Sequence, residues 1–442
     1  MPPNTKEDRT RKFMVGSSDS ETENEDLALI NMVLRKLSIK DQTLLHRHFK
    51  NVPEAFNTLW KDQHQRLDLG QMQWKLHGSN LNLFLQDMYS DFRSIHFRSE
   101  QLQEELNILE QAGIERLVHV ESCEISWGNS VNKNITNVPQ WPFHALPKLL
   151  SNLLHLEIHA PIQACFIEQF RRLETLKMHQ EISNSALEEI LSSEAPLMQL
   201  HFPGDFTYPL LGISKCKHLK SLLINLQSFL SSPNEILRLS KLLVLKITKL
   251  TKSGDSLKAL SKVIAEKGSH LKSLQLNCSF MDHGKYLSEL GLNRCLSLEK
   301  LELVDFKFKD QDMTKLCLPV TQRYAIFGNC PELFDDQLLD FIKASPRLIE
   351  LVLIECPKLT EALLHDVVKV RNSGEELEPL LIRVKNCQDI WDSYQKNFLI
   401  YWERKQSLVK LECKTEEIKP IDNVQLIFHE PLEGPSIIQV RV

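Results

Sequence analysis

Three groups of residues have types and spacings suited to chemistry. In "LIELVLIECPKLT", Leu348 to Thr360, a lone cysteine, Cys356, is followed directly by a proline. A reactive cysteine needs access and a neighbour that favours the thiolate, and Glu355 works against that. Leu348, Leu351, Leu353 and Leu359 surround it, so Cys356 reads as a compact core hydrophobe with a weak donor. In "LHRHFK", His46 and His48 lie two apart on a helix and point to different faces, whereas a helical metal pair needs i, i+4 spacing. In "LHLEIHA", strand alternation puts His155, Glu157 and His159 on one face. Neighbouring strands offer no obvious further ligands except His179 and His201, so the trio reads as a binding patch, and no metal site is assigned. No GxGxxG, GxxxxGKS, HExxH or GxSxG motif occurs, and the chain has 14 glycines. No catalytic residue and no cofactor are assigned, and the chain reads as a non-enzyme.

These residues belong to a repeat. "LLHLEI" begins at Leu153, "LETLKM" at Leu173, "LMQLHF" at Leu197, "LKSLLI" at Leu219 and "LLVLKI" at Leu242. "LKSLQL" begins at Leu271, "LEKLEL" at Leu298, "LIELVL" at Leu348 and "LVKLEC" at Leu408. "TQRYAI" from Thr321 and "PLLIRV" from Pro379 fill two gaps more weakly, and "IERLVHVESC" from Ile114 suggests a start. Apolar residues hold positions one, four and six, at a spacing of roughly 20 to 31 residues. Residues two apart share a strand face. Between the strands lie helical patterns. Leu187, Ile190 and Leu191 share one face behind a Ser183 cap, and Leu338, Phe341 and Ile342 repeat it. One such unit cannot bury its own apolar face; stacked units can.

The pattern resembles leucine-rich repeats of the cysteine-containing type, with "IECPKLT" the best match and "VKNCQDI" and "IFGNCPEL" partial ones. The resemblance covers residues 114–415 and implies an α/β fold, a right-handed solenoid or horseshoe. Its exposed strand face would carry His155, Glu157, His159, Lys177, Gln199, His201, Leu223, Lys246, Gln275, Glu302, Val352, Ile354, Arg383, Lys385 and Glu412. That row drifts from histidine-rich through mixed polar to apolar and then basic. A varied row suits a protein ligand better than a polyanion, which favours an unbroken basic stripe.

Upstream, Leu27, Ile30, Leu34 and Leu37 form one helical stripe, widened by Leu29 and Val33. Ser38 and Asp41 have capping-box spacing, and a second helix carries Leu44, Leu45 and Phe49. A third begins near Pro53 with Phe56, Leu59 and Trp60, before a short extended "RLDL". Three short helices over residues 26–70 resemble an F-box, although "ENED" stands where many F-boxes begin with Leu-Pro. The resemblance implies docking on Skp1, the adaptor of cullin-RING ubiquitin ligases, through Leu29, Ile30, Val33, Leu34, Leu37, Leu44 and Leu45. A segment this short is near the limit for folding alone and leaves apolar residues to be covered.

The remaining segments read as a disordered acidic tail (1–25), a linker and N-terminal cap (71–113) and a C-terminal cap or tail (416–442). The cap should hold a strand near Ile95 and a helix through Leu102, Leu106 and Leu109. Net charge is −5, which argues against nucleic acid or an anionic membrane as partner. No apolar run of spanning length occurs. The ten cysteines are scattered without a CxxC, which fits reduced thiols in the cytoplasm or nucleus. The expectation is a substrate-recognition subunit of a Skp1–cullin–F-box ligase. The alternative is a repeat scaffold whose N-terminal helices only cap the solenoid.

Overall fold

The computed structural model describes residues 32–48, 53–127, 142–161, 164–204, 206–250, 254–278, 289–308, 322–372, 380–390, 409–413 and 440–441. The acidic tail, Leu27, Leu29, Ile30, Phe49 and most of 416–442 lie outside them. The chain divides into two compact units, Met1–Glu124 with Trp141–Ser151, and Ile125–Gln140 with Asn152–Val442.

In the first unit, residues 32–34 are helical, followed by helices Ile39–His48 and Pro53–Gln63. Ser38 caps the second helix: the Asp41 amide donates to its hydroxyl at 3.2 Å, and that hydroxyl donates to the Asp41 carboxylate at 2.6 Å. Phe56, Leu59 and Trp60 are buried. Strand β1 (Arg66–Asp68) then pairs in parallel with β2 (Ser94–Arg98), Leu67 against Ile95. Phe92, Ile95 and Phe97 are buried at the same relative positions as the repeat leucines. The expected cap helix is present as Leu102–Gln111, with Leu102 and Leu109 buried. Strand β3 is Ser122–Ser126.

The second unit is a run of parallel strands. In order they are β4 (His155–Ile158), β5 (Thr175–Met178), β6 (Gln199–His201), β7 (Ser221–Asn225) and β8 (Val244–Leu250). They continue as β9 (Ser273–Cys278), β10 (Lys300–Val304), β11 (Tyr324–Gly328), β12 (Glu350–Ile354), β13 (Leu380–Lys385) and β14 (Val409–Cys413). Each pairs with the next in parallel, and β15 (Val440–Arg441) adds antiparallel to β14. The register matches the repeat: Leu156, Leu176, Leu200, Leu222, Leu245, Leu274 and Leu301 stand side by side and are buried. Each fully buried leucine contributes about 1.5–3 kcal/mol, so three per repeat dominate the energetics. Helices return the chain where the spacing predicts them. The Ala186 amide donates to Ser183 Oγ at 3.3 Å at the start of Asn184–Ser192, and Leu187, Ile190 and Leu191 are buried. Asp335–Ala344 buries Leu338, Phe341 and Ile342. The fold is an α/β leucine-rich-repeat solenoid with an open parallel sheet.

Strands β10 to β13 each leave through a sharp turn. Asp305, Asn329, Glu355 and Asn386 follow β10 to β13 with φ of 60°, 49°, 55° and 54°. Asp and Asn accept the left-handed conformation more readily than other residues with a Cβ. Their amides keep the ladder going: Asp305 donates to the Gly328 carbonyl, Asn329 to Ile354 and Glu355 to Lys385. Behind the turns Cys330, Cys356 and Cys387 stack in the core. Each thiol donates to the carbonyl two residues earlier, Gly328, Ile354 and Lys385, at 3.2, 3.4 and 3.5 Å. The Cys330 hydrogen bond and burial push the Cys356 thiol far above its ordinary pKa, so it is a packed, inert group.

Candidate protein-binding face

The sheet face opposite the buried leucines carries one continuous row in register. It runs Glu157, Lys177, His201, Leu223, Lys246, Gln275, Glu302, Ile326, Val352 and Arg383. A second row, two residues earlier, includes His155, Thr175, Gln199, Ser221 and Val244. The structure thus places Glu157, Lys177, His201, Lys246, Gln275, Glu302, Val352 and Arg383 in one line. Ile354 and Lys385 pair with each other one position pair further along.

Chemistry concentrates at β4 and β5. Glu157 Oε1 receives the Nε2 atoms of His159 at 3.2 Å and His179 at 3.1 Å, and its Oε2 accepts from Lys177 Nζ at 3.0 Å. The two imidazoles stack with centroids 3.9 Å apart and 23° between planes. These contacts, led by the two histidines, hold the Glu157 carboxyl well below the usual carboxylate range. His201 is in reach of Ser221 Oγ at 3.2 Å; burial lowers its pKa to about 4, with Lys246 and Lys177 adding to the shift. Burial also lowers the pKa of Lys246. His155 does not join this cluster: it is exposed and its register partner is Thr175.

Towards β10 and β11 the face closes. Glu302, Val304 and Ile326 are buried, so Glu302 stands in the row yet is covered, with Lys300 Nζ 3.4 Å from its carboxylate. Beyond it Val352 and Ile354 are half-buried, and Arg383 Nε donates to Glu350 Oε1 at 2.9 Å. The open part of the row therefore lies in two stretches, polar at Glu157–Gln275 and apolar to basic at Val352–Lys385.

In the first unit the expected adaptor residues separate. Val33 and Met32 are 54% and 58% exposed, and Leu44 is 36% exposed. Leu37 and Leu45 are half-buried. Leu34 is 4% exposed and packs inward, because the Leu34 turn is held by Gln42, whose Nε2 donates to the Leu34 carbonyl at 2.9 Å. Leu34 is thus a core residue of this segment and is not presented outward. Trp74, unremarked in the sequence, is 83% exposed on helix Leu69–Lys75, the most exposed large apolar side chain among the described residues.

One further feature was missed, and one already named in the sequence, His179, finds its place. A repeat unit sits at "VESCEI", with Val120, Cys123 and Ile125 buried, rather than starting near Ile114; valine and cysteine in place of leucine hid it. His179 follows β5 as His159 follows β4, a signal visible in aligning "LEIHA" with "LKMHQ".

No protein-family model matches the chain, and no curated protein matches it. Solved structures do. An internalin from Listeria monocytogenes matches at 15% identity and TM-score 0.36, over 63% of this chain and 79% of that one. The leucine-rich repeat-containing protein LegL7 from Legionella pneumophila matches at 14% identity and TM-score 0.38, over 70% and 98%. A yeast complex of Rad7 and Elc1 matches at 15% identity and TM-score 0.33, over 52% and 68%. Among the described residues no helix is long and apolar enough to cross a membrane.

Proposed function

We propose that the chain is the substrate-recognition subunit of a Skp1–cullin–F-box ubiquitin ligase. The N-terminal helices dock on a Skp1-type adaptor, and the outward row of the solenoid holds a protein substrate. The chain supplies proximity and orientation, and other subunits supply the bond chemistry. One observation carries the reading. The helical segment closes its own small core around Trp60 and Gln42, yet leaves Met32, Val33 and Leu44 outside it. A self-contained cap has no need of such a surface, and an adaptor groove would cover it.

The experiment is co-purification of the full chain with a Skp1-type adaptor, beside a Val33→Asp, Leu44→Asp double variant. Both positions are exposed, so the variant should keep the parent circular dichroism. Complex formation by the parent and its loss in the folded variant support the reading. No complex with the parent sinks it. A second reading, a repeat scaffold capped by these helices, is favoured by the pairing of β1 with β2, which ties the end of the helical segment to a parallel sheet. It predicts no adaptor complex and a solenoid that aggregates when residues 1–63 are removed.

A further inference from the structure

The cluster at β4 and β5 has the makings of a site. Glu157 and Lys177 are register partners, and the next outward positions are His159 and His179. The backbone there is fixed, because the His159 amide donates to the Ile125 carbonyl and the His179 amide to Ile158. Two imidazole Nε2 atoms thus converge on one carboxylate oxygen, from the positions directly after two adjacent strands. The three donor atoms all lie within 4.8 Å of one another.

That set is chemically specific. Zinc binds imidazole nitrogen at about 2.0–2.1 Å and carboxylate oxygen at about 2.0–2.2 Å in a tetrahedron. Those lengths require about 3.3 Å between donors. The observed 3.2 and 3.1 Å separations sit close to that value. Two neutral imidazoles and one carboxylate suit a borderline transition ion, whereas calcium and magnesium favour all-oxygen sets. Lys177 holds the other oxygen, Oε2, at 3.0 Å and fixes the carboxylate plane, as outer-shell partners do. Its positive charge lowers affinity relative to a site without it. The side chains of Glu157, His159 and His179 are 29%, 36% and 24% exposed, so the fourth position opens to the outward face.

We infer that Glu157, His159 and His179 form a three-ligand zinc site, whose open fourth position faces the surface on which a protein partner would lie. The site stands independently of the ligase reading, because its test uses the metal alone.

The test is titration of the untagged full chain with Zn²⁺ by calorimetry, and with Co²⁺ by visible absorption. The parent should take one equivalent with the intense visible bands of tetrahedral Co²⁺. Single variants Glu157→Gln, His159→Ala and His179→Ala should each lose more than the roughly 10–100-fold in affinity that an outer-shell change costs. His155→Ala, on the same face but outside the cluster, should bind as the parent does. Circular dichroism checks that every variant is folded. Absence of saturable binding to the parent overturns the inference. So does binding that survives all three single substitutions, or falls equally in His155→Ala.

Discussion

Trp60 Nε1 donates to Gln42 Oε1 at 2.8 Å, with both side chains buried. The other end of the same amide donates to the carbonyls of Leu34 and Leu37 at 2.9 and 3.2 Å. One glutamine therefore ties three helical pieces together. It also decides which apolar side chains turn in and which remain outside.

Removing that amide should be costly. Gln42→Met leaves the Trp60 N–H and a helix-end carbonyl buried without partners, at about 2–3 kcal/mol. Leu44→Asp, at an exposed site, should stay within about 0.5 kcal/mol. Amide exchange across residues 34–60 reports both. Equal protection in the parent and Gln42→Met would show that the network contributes nothing.

Glu105 predicts a pH dependence in the first unit. It is buried and accepts from the Arg98 amide at 3.1 Å, and burial pushes its pKa up from 4.5 to about 7 against the pull of Arg98. Between those values the folded chain keeps a proton that the unfolded chain has lost. Stability should therefore fall as pH rises from about 4.5 to about 7, by about 3 kcal/mol in all. Glu105→Gln keeps an acceptor and should remove this component. Urea midpoints measured across that window should diverge; parallel curves for parent and variant would exclude Glu105 as the source.

The turn after β11 should tolerate glycine better than alanine. Asn329 has φ of 49°, and its Nδ2 donates to Asp305 Oδ1 at 2.6 Å. Asn329→Ala loses both the bond and the tolerance, costing about 1–2 kcal/mol. Asn329→Gly loses the bond alone and should cost less. Denaturant unfolding of the two variants separates them, and equal costs would remove the left-handed backbone as the cause.

Cys330, Cys356 and Cys387 should resist alkylation in the native chain. All three are buried, and each donates to a strand carbonyl. Mass spectrometry after iodoacetamide treatment should find them modified only once the solenoid unfolds. Native labelling of Cys356 would contradict its placement in the core.

The repeat was legible because its period is carried by leucines that nothing else in the chain imitates. From Leu153 to Cys413 the strands lie where positions one, four and six put them, including the weaker "PLLIRV", except that "TQRYAI" is one residue out of register: Ala325 and Phe327 turn inward, and Ile326 joins the outward row. The Ser183 and Ser38 caps were legible because capping depends on local spacing alone. What escaped depends on neighbours distant in the chain. The pairing of His179 with Glu157 requires the register of two strands. The covering of Glu302 and the inward turn of Leu34 depend on packing that side-chain type does not reveal.

The outward row also measures length. Parallel strands are about 4.8 Å apart, so a ligand crossing β4 to β9 meets a new side chain at that interval. A helix laid across them offers one contact per turn, about every 5.4 Å, and slips by about 0.6 Å per strand. After about four strands it is half a spacing out of step. A straight helical ligand therefore stays in step over only about four strands, and it cannot match the polar stretch from Glu157 and the stretch from Val352 to Arg383 in one register. A partner that engages both must bend, break or arrive as two separate segments.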